Sequence, residues 1–223
     1  MRKPKITSYE EALAAVRRNA CALQYVPWGQ INLSVPAMAE LCLGAVKENG
    51  EALEYVPESL KTAELCLEAV KDNGYALEYV PWGQINLSVP AKAELCFEAV
   101  KKNGYALKYV PEELKTAELC LEAMKQNSTG EALKYVPDEL KTTEMCLIAM
   151  KRDPLALLFV PERLKTAELC LEAVRGDGLA LYHVPSKLKT VELCLEAVKQ
   201  NREALEDVPE ALREEVRRRL KCD

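Results

Sequence analysis

Apolar positions recur along the chain with helical spacing, and the clearest copy of the pattern runs from Lys61 to Pro81, KTAELCLEAVKDNGYALEYVP. Ala63, Cys66, Leu67 and Val70 share one face of a helix predicted over 63–73, and Leu65 and Ala69 widen that face to more than half the circumference. So wide a stripe suits a helix covered on two or three sides. The remaining strip carries Glu64, Glu68 and Lys71, with Glu68 and Lys71 placed for an i,i+3 ion pair. Thr62 is the predicted N-cap and Gly74 the predicted left-handed stop. A shorter helix follows from Tyr75 to about Val80 and turns Ala76, Leu77 and Val80 inward; Pro81 cannot continue its hydrogen bonding. In the plain copies the next residues, such as Pro57-Glu58-Ser59-Leu60, read as a single turn that returns a leucine to the core.

The pattern repeats. A Val-Pro pair recurs with prolines at 27, 57, 81, 111, 137, 161, 185 and 209, in steps of 30, 24, 30, 26, 24, 24 and 24 residues. Periods in this range mean a solenoid or a similar stack of small units. Thr116, Thr142, Thr166 and Thr190 repeat the cap, and Gly104 and Gly178 repeat the stop. The departures from 24 are insertions. Asn127-Ser128-Thr129-Gly130 lengthens one turn by two residues, and PWGQINLSVPA, at 27–37 and again at 81–91, lengthens two connections by six. At the ends, Ser8 takes the cap position, Glu11 and Ala12 replace the usual leucine and cysteine, and Pro209 to Lys221 reads as a closing helix with Leu212, Val216 and Leu220 as its stripe. The predicted fold is all-α: a right-handed α-solenoid of eight helix–turn–helix repeats over 8–208 and a capping helix over 209–223, forming one domain that reads as complete at both ends.

Charge narrows the function. The formal net charge is -5 with both signs well mixed, which opposes nucleic-acid binding and attraction to an anionic membrane surface. No apolar run approaches the length of a membrane span. The N-terminal MRKPKITSYEEALAAV has basic residues but no apolar segment after them, so no signal peptide is predicted. Nine cysteines without such a leader point to a reducing, cytoplasmic location, with signal-independent secretion left open.

Stacking the copies produces columns. Cys42, Cys66, Cys96, Cys120, Cys146, Cys170 and Cys194 hold one helical position. Equivalent helices lie about 8–10 Å apart, too far for a disulfide between neighbours, and one cysteine per repeat does not converge on a metal. The column is expected to supply small buried apolar side chains, with Cys21 and Cys222 the ones open to oxidation. No metal and no cofactor is expected. Glu64, Glu94, Glu118, Glu144, Glu168 and Glu192, with a second row one turn on, form an acidic band whose plain reading is a solvated face. Tyr25, Tyr55, Tyr79, Tyr109 and Tyr135 precede the Val-Pro pairs, and Phe159, His183 and Asp207 continue the column. These rings either pack at the edge of the short helices or line a groove that anchors a peptide. His183 has no catalytic partner in any recognisable motif.

The two insertions are the sharpest feature. Trp28, Gln30 and Asn32 recur as Trp82, Gln84 and Asn86, and these tryptophans are the only two in the protein. Alternation of Ile31, Leu33 and Val35 with polar residues predicts a short extended segment. Loops on a rigid scaffold commonly carry function; the structural reading is that the indole covers a hairpin edge while Pro36 or Pro90 starts the next helix a turn early.

The phrase ELCLEAVKxNGYALEYVPEELKT, carried by Glu64–Tyr79 and Glu94–Thr116, resembles a bacterial family of short tandem helical repeats known only as a domain of unknown function. The resemblance covers about 20 to about 208 and implies the alternation of longer and shorter helices, but no activity, ligand or catalytic residue. The expected function is a non-catalytic scaffold that binds a protein or extended peptide. The alternatives are a spacer or homo-oligomer, and an enzyme whose site lies between the Trp loops.

Overall fold

The computed structural model describes residues 5–221, and no strand occurs among them. Cys222 and the first four residues of the stretch read for a leader lie outside the described residues. Contacts divide the chain into two compact units, Met1–Lys115 and Thr116–Asp223. The first holds α1 (Tyr9–Arg18), α2 (Val35–Glu48), α3 (Ala63–Asp72) and α4 (Val89–Lys102). The second holds α5 (Ala117–Gln126), α6 (Thr143–Arg152), α7 (Ala167–Gly176), α8 (Val191–Gln200) and α9 (Glu210–Leu220). A short helix follows each of α1 to α8, so the predicted alternation of longer and shorter helices is present.

The threonine caps form as predicted: the side chains of Thr62, Thr116, Thr142, Thr166 and Thr190 each accept a bond from the backbone N–H three residues on. Ser8 does the same for Glu11, whose carboxylate reaches back to the Thr7 N–H and hydroxyl at 2.7 Å. Within the first unit, α3 packs against α2, α4 and the short helices Gly50–Tyr55 and Gly74–Tyr79. Within the second, α8 packs against α7, α9 and the short helices Gly178–His183 and Arg202–Asp207. A middle helix is thus covered on several sides, as its wide stripe requires. The most buried residues of α3 are Leu65, Cys66, Ala69 and Val70, while Ala63 and Leu67 are only partly covered, which rotates the inward face from the predicted one. Leu65–Ala69 and Cys66–Val70 are both i,i+4 rows, the ridges by which helices interdigitate. Apolar packing holds the stack. A fully buried leucine such as Leu77 contributes about 2 kcal/mol, whereas the exposed Glu68–Lys71 pair, at 3.5 Å, contributes about 0.3 kcal/mol.

Three predictions about the short segments need correcting. The shorter helix is a 3₁₀ helix, Gly74–Tyr79 in the third repeat. Its register is imposed at its start: the Asn73 side chain accepts from the Tyr75 N–H at 3.0 Å and its carbonyl from the Ala76 N–H at 2.9 Å, an i→i+3 bond. The same Asn73, in an extended conformation, ends α3. Gly74, Gly104 and Gly178 are therefore not left-handed stops; the one glycine with positive φ among the described residues is Gly130, in the lengthened turn. The leucine of the Pro57 turn, Leu60, is half-buried rather than returned fully to the core. Similarly, of the predicted stripe of α9 only Val216 is fully buried, with Leu212 and Leu220 partly open.

The seven cysteines of the column have no exposed surface. Burial pushes the Cys42 and Cys96 thiols up to about 12 and that of Cys66 to about 11. Such thiols hold almost no thiolate near neutral pH, and the thiolate is the reactive form. Native titration with a thiol-selective disulfide reagent is expected to read at most Cys21 and Cys222, against nine after unfolding in guanidinium. A native count above two would contradict this burial.

Candidate functional site

Both PWGQINLSVPA segments fold in the same way. The backbone turns over 28–30: the Gln30 N–H donates to the Pro27 carbonyl at 2.7 Å, and the Gln84 N–H to that of Pro81 at 2.9 Å. The extended segment expected from Ile31 to Val35 does not form. The Leu33 N–H bonds the Ile31 carbonyl at 2.8 Å, a three-residue turn, and Ser34 then caps a helix with Pro36 in its first turn. Helices α2 and α4 are 14 residues long against 10 for α3, so four of the six inserted residues extend the helix and two extend the loop. An early helix start at Pro36 and Pro90 is therefore observed. Ile31 and Ile85 are buried, Trp28 and Trp82 are half-buried, and Gln30, Asn32, Gln84 and Asn86 are exposed. Val35 and Val89, at 62% and 69% exposure, stand free at the start of their helices. A cleft of 310 Å³ lies beside α2, lined by Ala39, Glu40 and Leu43 on one side and Leu60, Thr62, Glu64 and Leu65 on the other.

Tyr25, Tyr55, Tyr79 and Tyr109, in the first unit, are half-buried at the ends of successive 3₁₀ helices. Tyr135, in the second unit, is half-buried too and has the Lys134 ammonium 4.9 Å from its ring centre. Two tyrosines that the column reading omits complete the surface. Tyr75 and Tyr105 directly follow the repeat glycine, at the start of their 3₁₀ helices. The Tyr75 ring lies 6.4 Å from Tyr105 and 6.5 Å from Tyr109, the latter edge-on at 78°. Such tilted contacts suit ring quadrupoles, and here they join two repeats into one aromatic surface. Lys108 sits over Tyr109 at 4.9 Å. Opposite in charge is Glu54. Hydrogen bonding to Glu54, with desolvation second, pushes the Tyr55 phenol up to about 12. Desolvation first and Glu54 second push Tyr79 upward as well. The repeated Gly-Tyr dipeptides were the available signal for Tyr75 and Tyr105.

The acidic column is a solvated face: Glu64, Glu94, Glu118, Glu144, Glu168 and Glu192 are all exposed. His183 is partly covered, and desolvation holds its pKa below the usual value. Among the described residues no three His, Cys, Asp or Glu side chains are grouped to hold a metal ion. No helix among them is long and apolar enough to cross a membrane.

Sequence reasoning also missed a lysine column. Lys61, Lys115, Lys141 and Lys165 follow the turn leucine, and their side chains are only 4–9% exposed. Each ammonium pairs with an acidic residue three positions back, Lys141 with Asp138 at 2.7 Å. Lys141 and Lys165 also donate to the carbonyls of Phe159 and His183, at 2.8 and 3.0 Å, and Lys189 to that of Asp207 at 3.0 Å. Within the second unit, Lys141, Lys165 and Lys189 thus tie the start of one repeat to the end of the 3₁₀ helix that follows. Leu-Lys-Thr recurs in five copies, but lysine is so rarely buried that the tripeptide reads as surface.

No curated protein and no solved structure matches the chain. The family described as a domain of unknown function, DUF4116, matches it in tandem over residues 40–82, 93–141, 118–165 and 167–213. The overlapping matches follow the repeats seen in the structure, and together they span most of the sequence; the chain belongs to the DUF4116 family.

Proposed function

We propose that this repeat protein is a non-catalytic scaffold that binds an extended peptide segment across the aromatic surface of its first unit. The observation that carries the reading is the joined surface of Tyr75, Tyr105 and Tyr109, with half-buried Tyr55 and Tyr79 in the same unit. Tyrosine is a rigid, amphipathic contact that loses little side-chain entropy on binding, and such residues dominate interface energetics. Glu54 and Glu78 flank the row, so the complementary segment has apolar or aromatic residues with a basic residue beside them. Trp82 follows Tyr79 by three residues, and its exposed neighbours Gln84 and Asn86 offer amides to a peptide backbone. Nothing in these groups suggests a nucleophile or general base.

The test is selection of displayed random peptides on the immobilised chain, followed by affinity measurement on the wild type and on Tyr75→Ala/Tyr109→Ala. Both variants are checked for equal helicity. Enriched peptides are expected to carry aromatic and basic residues and to lose at least tenfold in affinity, about 1.4 kcal/mol, on the double variant. Failure to enrich any sequence, or equal affinity for both proteins, would count against the scaffold reading and favour a spacer.

A further inference from the structure

The second unit has a cleft of a different character. It encloses 500 Å³ between the last turn of α8, the 3₁₀ helix Arg202–Asp207 and the last turn of α9. Its charged lining is Lys199, Arg202, Arg217 and Lys221, all cationic, in a chain whose formal net charge is -5. The rest of the lining is apolar: Val198 is buried, and Leu205 and Leu220 are half-buried.

The repeat explains why the cleft opens here. Arg202 stands where other copies have Gly50, Gly74 or Gly178. At each of those glycines a Cβ would meet a backbone carbonyl of the following long helix at 2.3 Å, so the next repeat closes the gap. After α8 comes α9, which starts directly behind Pro209 and is built on a different pattern. The close approach is absent, a large side chain is accommodated, and a gap remains beside Leu205 and Leu220.

Glu215 holds Arg218 and Arg219 at 2.7 and 2.8 Å, and Glu192 holds Arg219 at 3.3 Å. Among the described residues, Arg202, Arg217 and Lys221 form no ion pair. Two helices end at the cleft, and their dipoles place about one negative charge there in total. Arg202, Arg217 and Lys221 outweigh that, so the cleft attracts an anion.

We propose that this cleft binds a multiply charged phosphate ester. The guanidinium forks of Arg202 and Arg217 suit phosphate oxygens, Lys221 adds charge, and the apolar body of the ester lies on Leu205, Leu220 and Val198. The volume falls within the usual range for small-molecule sites. A soluble ester and a phosphorylated lipid headgroup share this chemistry. The proposal is independent of peptide binding in the first unit.

The test is calorimetry on the full chain with pyrophosphate and with adenosine triphosphate, beside co-sedimentation with phosphatidylcholine vesicles with and without a phosphoinositide. Binding is expected to weaken with added salt. It is expected to fall at least tenfold in Arg202→Gln/Arg217→Gln, while Arg18→Gln, an exposed cation of the first unit, leaves it unchanged. Both positions are exposed, and equal circular dichroism confirms that the variants fold. Binding of the soluble probes assigns a free ester; retention on phosphoinositide vesicles alone assigns a lipid headgroup. No binding in any arm, or binding that the double substitution leaves unchanged, overturns the proposal.

Discussion

Gly178→Ala is expected to destabilise the second unit by about 3 kcal/mol, the upper part of the range for overpacking. A Cβ built there would lie 2.3 Å from the Ala197 carbonyl oxygen and 2.9 Å from the Asn201 backbone nitrogen. Both are backbone atoms at the end of α8, and neither can swing aside as a flexible side chain would. Relief requires α8 to move away from the 3₁₀ helix Gly178–His183, which opens an interface built on buried Ala180, Leu181, Ala197 and Val198. Backbone strain is not the cause, since Gly178 has no positive φ. Gly44→Ala supplies the contrast. Gly44 lies exposed inside α2 with nothing within 4 Å of its added Cβ, so alanine there is expected to stabilise by about 1 kcal/mol. Urea denaturation followed by circular dichroism reads both signs. A Gly178→Ala protein with an unchanged midpoint would show that the repeats do not approach as closely as described.

Lys141→Met is expected to cost about 2 kcal/mol. The side chain of Lys141 is 6% exposed, and its ammonium bridges Asp138 and the Phe159 carbonyl. Methionine keeps the buried stem but leaves the carbonyl without this donor, and an unsatisfied buried acceptor costs about 1–3 kcal/mol. Asp138 itself is exposed and rehydrates. Its titration gives a second readout. Hydrogen bonding to Lys141, then the ammonium charge, lowers the Asp138 pKa below 3.8. A lowered pKa means that the pairing stabilises above the unfolded value and is lost as pH falls through the folded one. In Lys141→Met the Asp138 pKa is expected to rise toward its ordinary value, followed by carboxyl carbon chemical shifts. Lys71→Met, at the exposed Glu68–Lys71 pair, is expected to change stability by no more than about 0.5 kcal/mol. Equal effects at Lys141 and Lys71 would remove the lysine column from the account of repeat coupling.

Much of this architecture is legible in the sequence because each repeat carries its own punctuation. Thr62 announces a helix start, the Val80-Pro81 pair announces an end, and the recurring 24-residue step, lengthened only by readable insertions, announces a stack. The conformation of the short helix is not legible. Six residues between Asn73 and Val80 fit an α or a 3₁₀ turn equally well by period, and the choice depends on which N–H groups Asn73 captures. Gly74 misleads for a related reason. An Asn-Gly pair at a helix end suits a left-handed cap, but here the glycine is required by the Ala99 carbonyl of the next repeat, 25 residues away. In the inserted loops Ser34-Val35-Pro36 is a readable helix start, whereas three alternating apolar residues were too few to establish a strand. Of the aromatic surface, the Tyr55–Tyr79–Tyr109 column could be read by stacking copies, but the ring contacts of Tyr75 could not, because they depend on the angle at which neighbouring 3₁₀ helices meet.

The central claim, that the aromatic surface and its Trp loop bind an extended peptide, is tested most directly by the emission of the chain's own indoles. Trp28 and Trp82 are its only tryptophans and both are half-exposed. In a Trp28→Phe protein, which leaves Trp82 as the single reporter, a selected peptide is expected to shift or quench the emission saturably. Adding Tyr75→Ala/Tyr109→Ala should weaken that response at least tenfold. A peptide that binds while leaving Trp82 emission unchanged, or whose signal survives loss of both tyrosines, would contradict the assignment of this surface as the binding site.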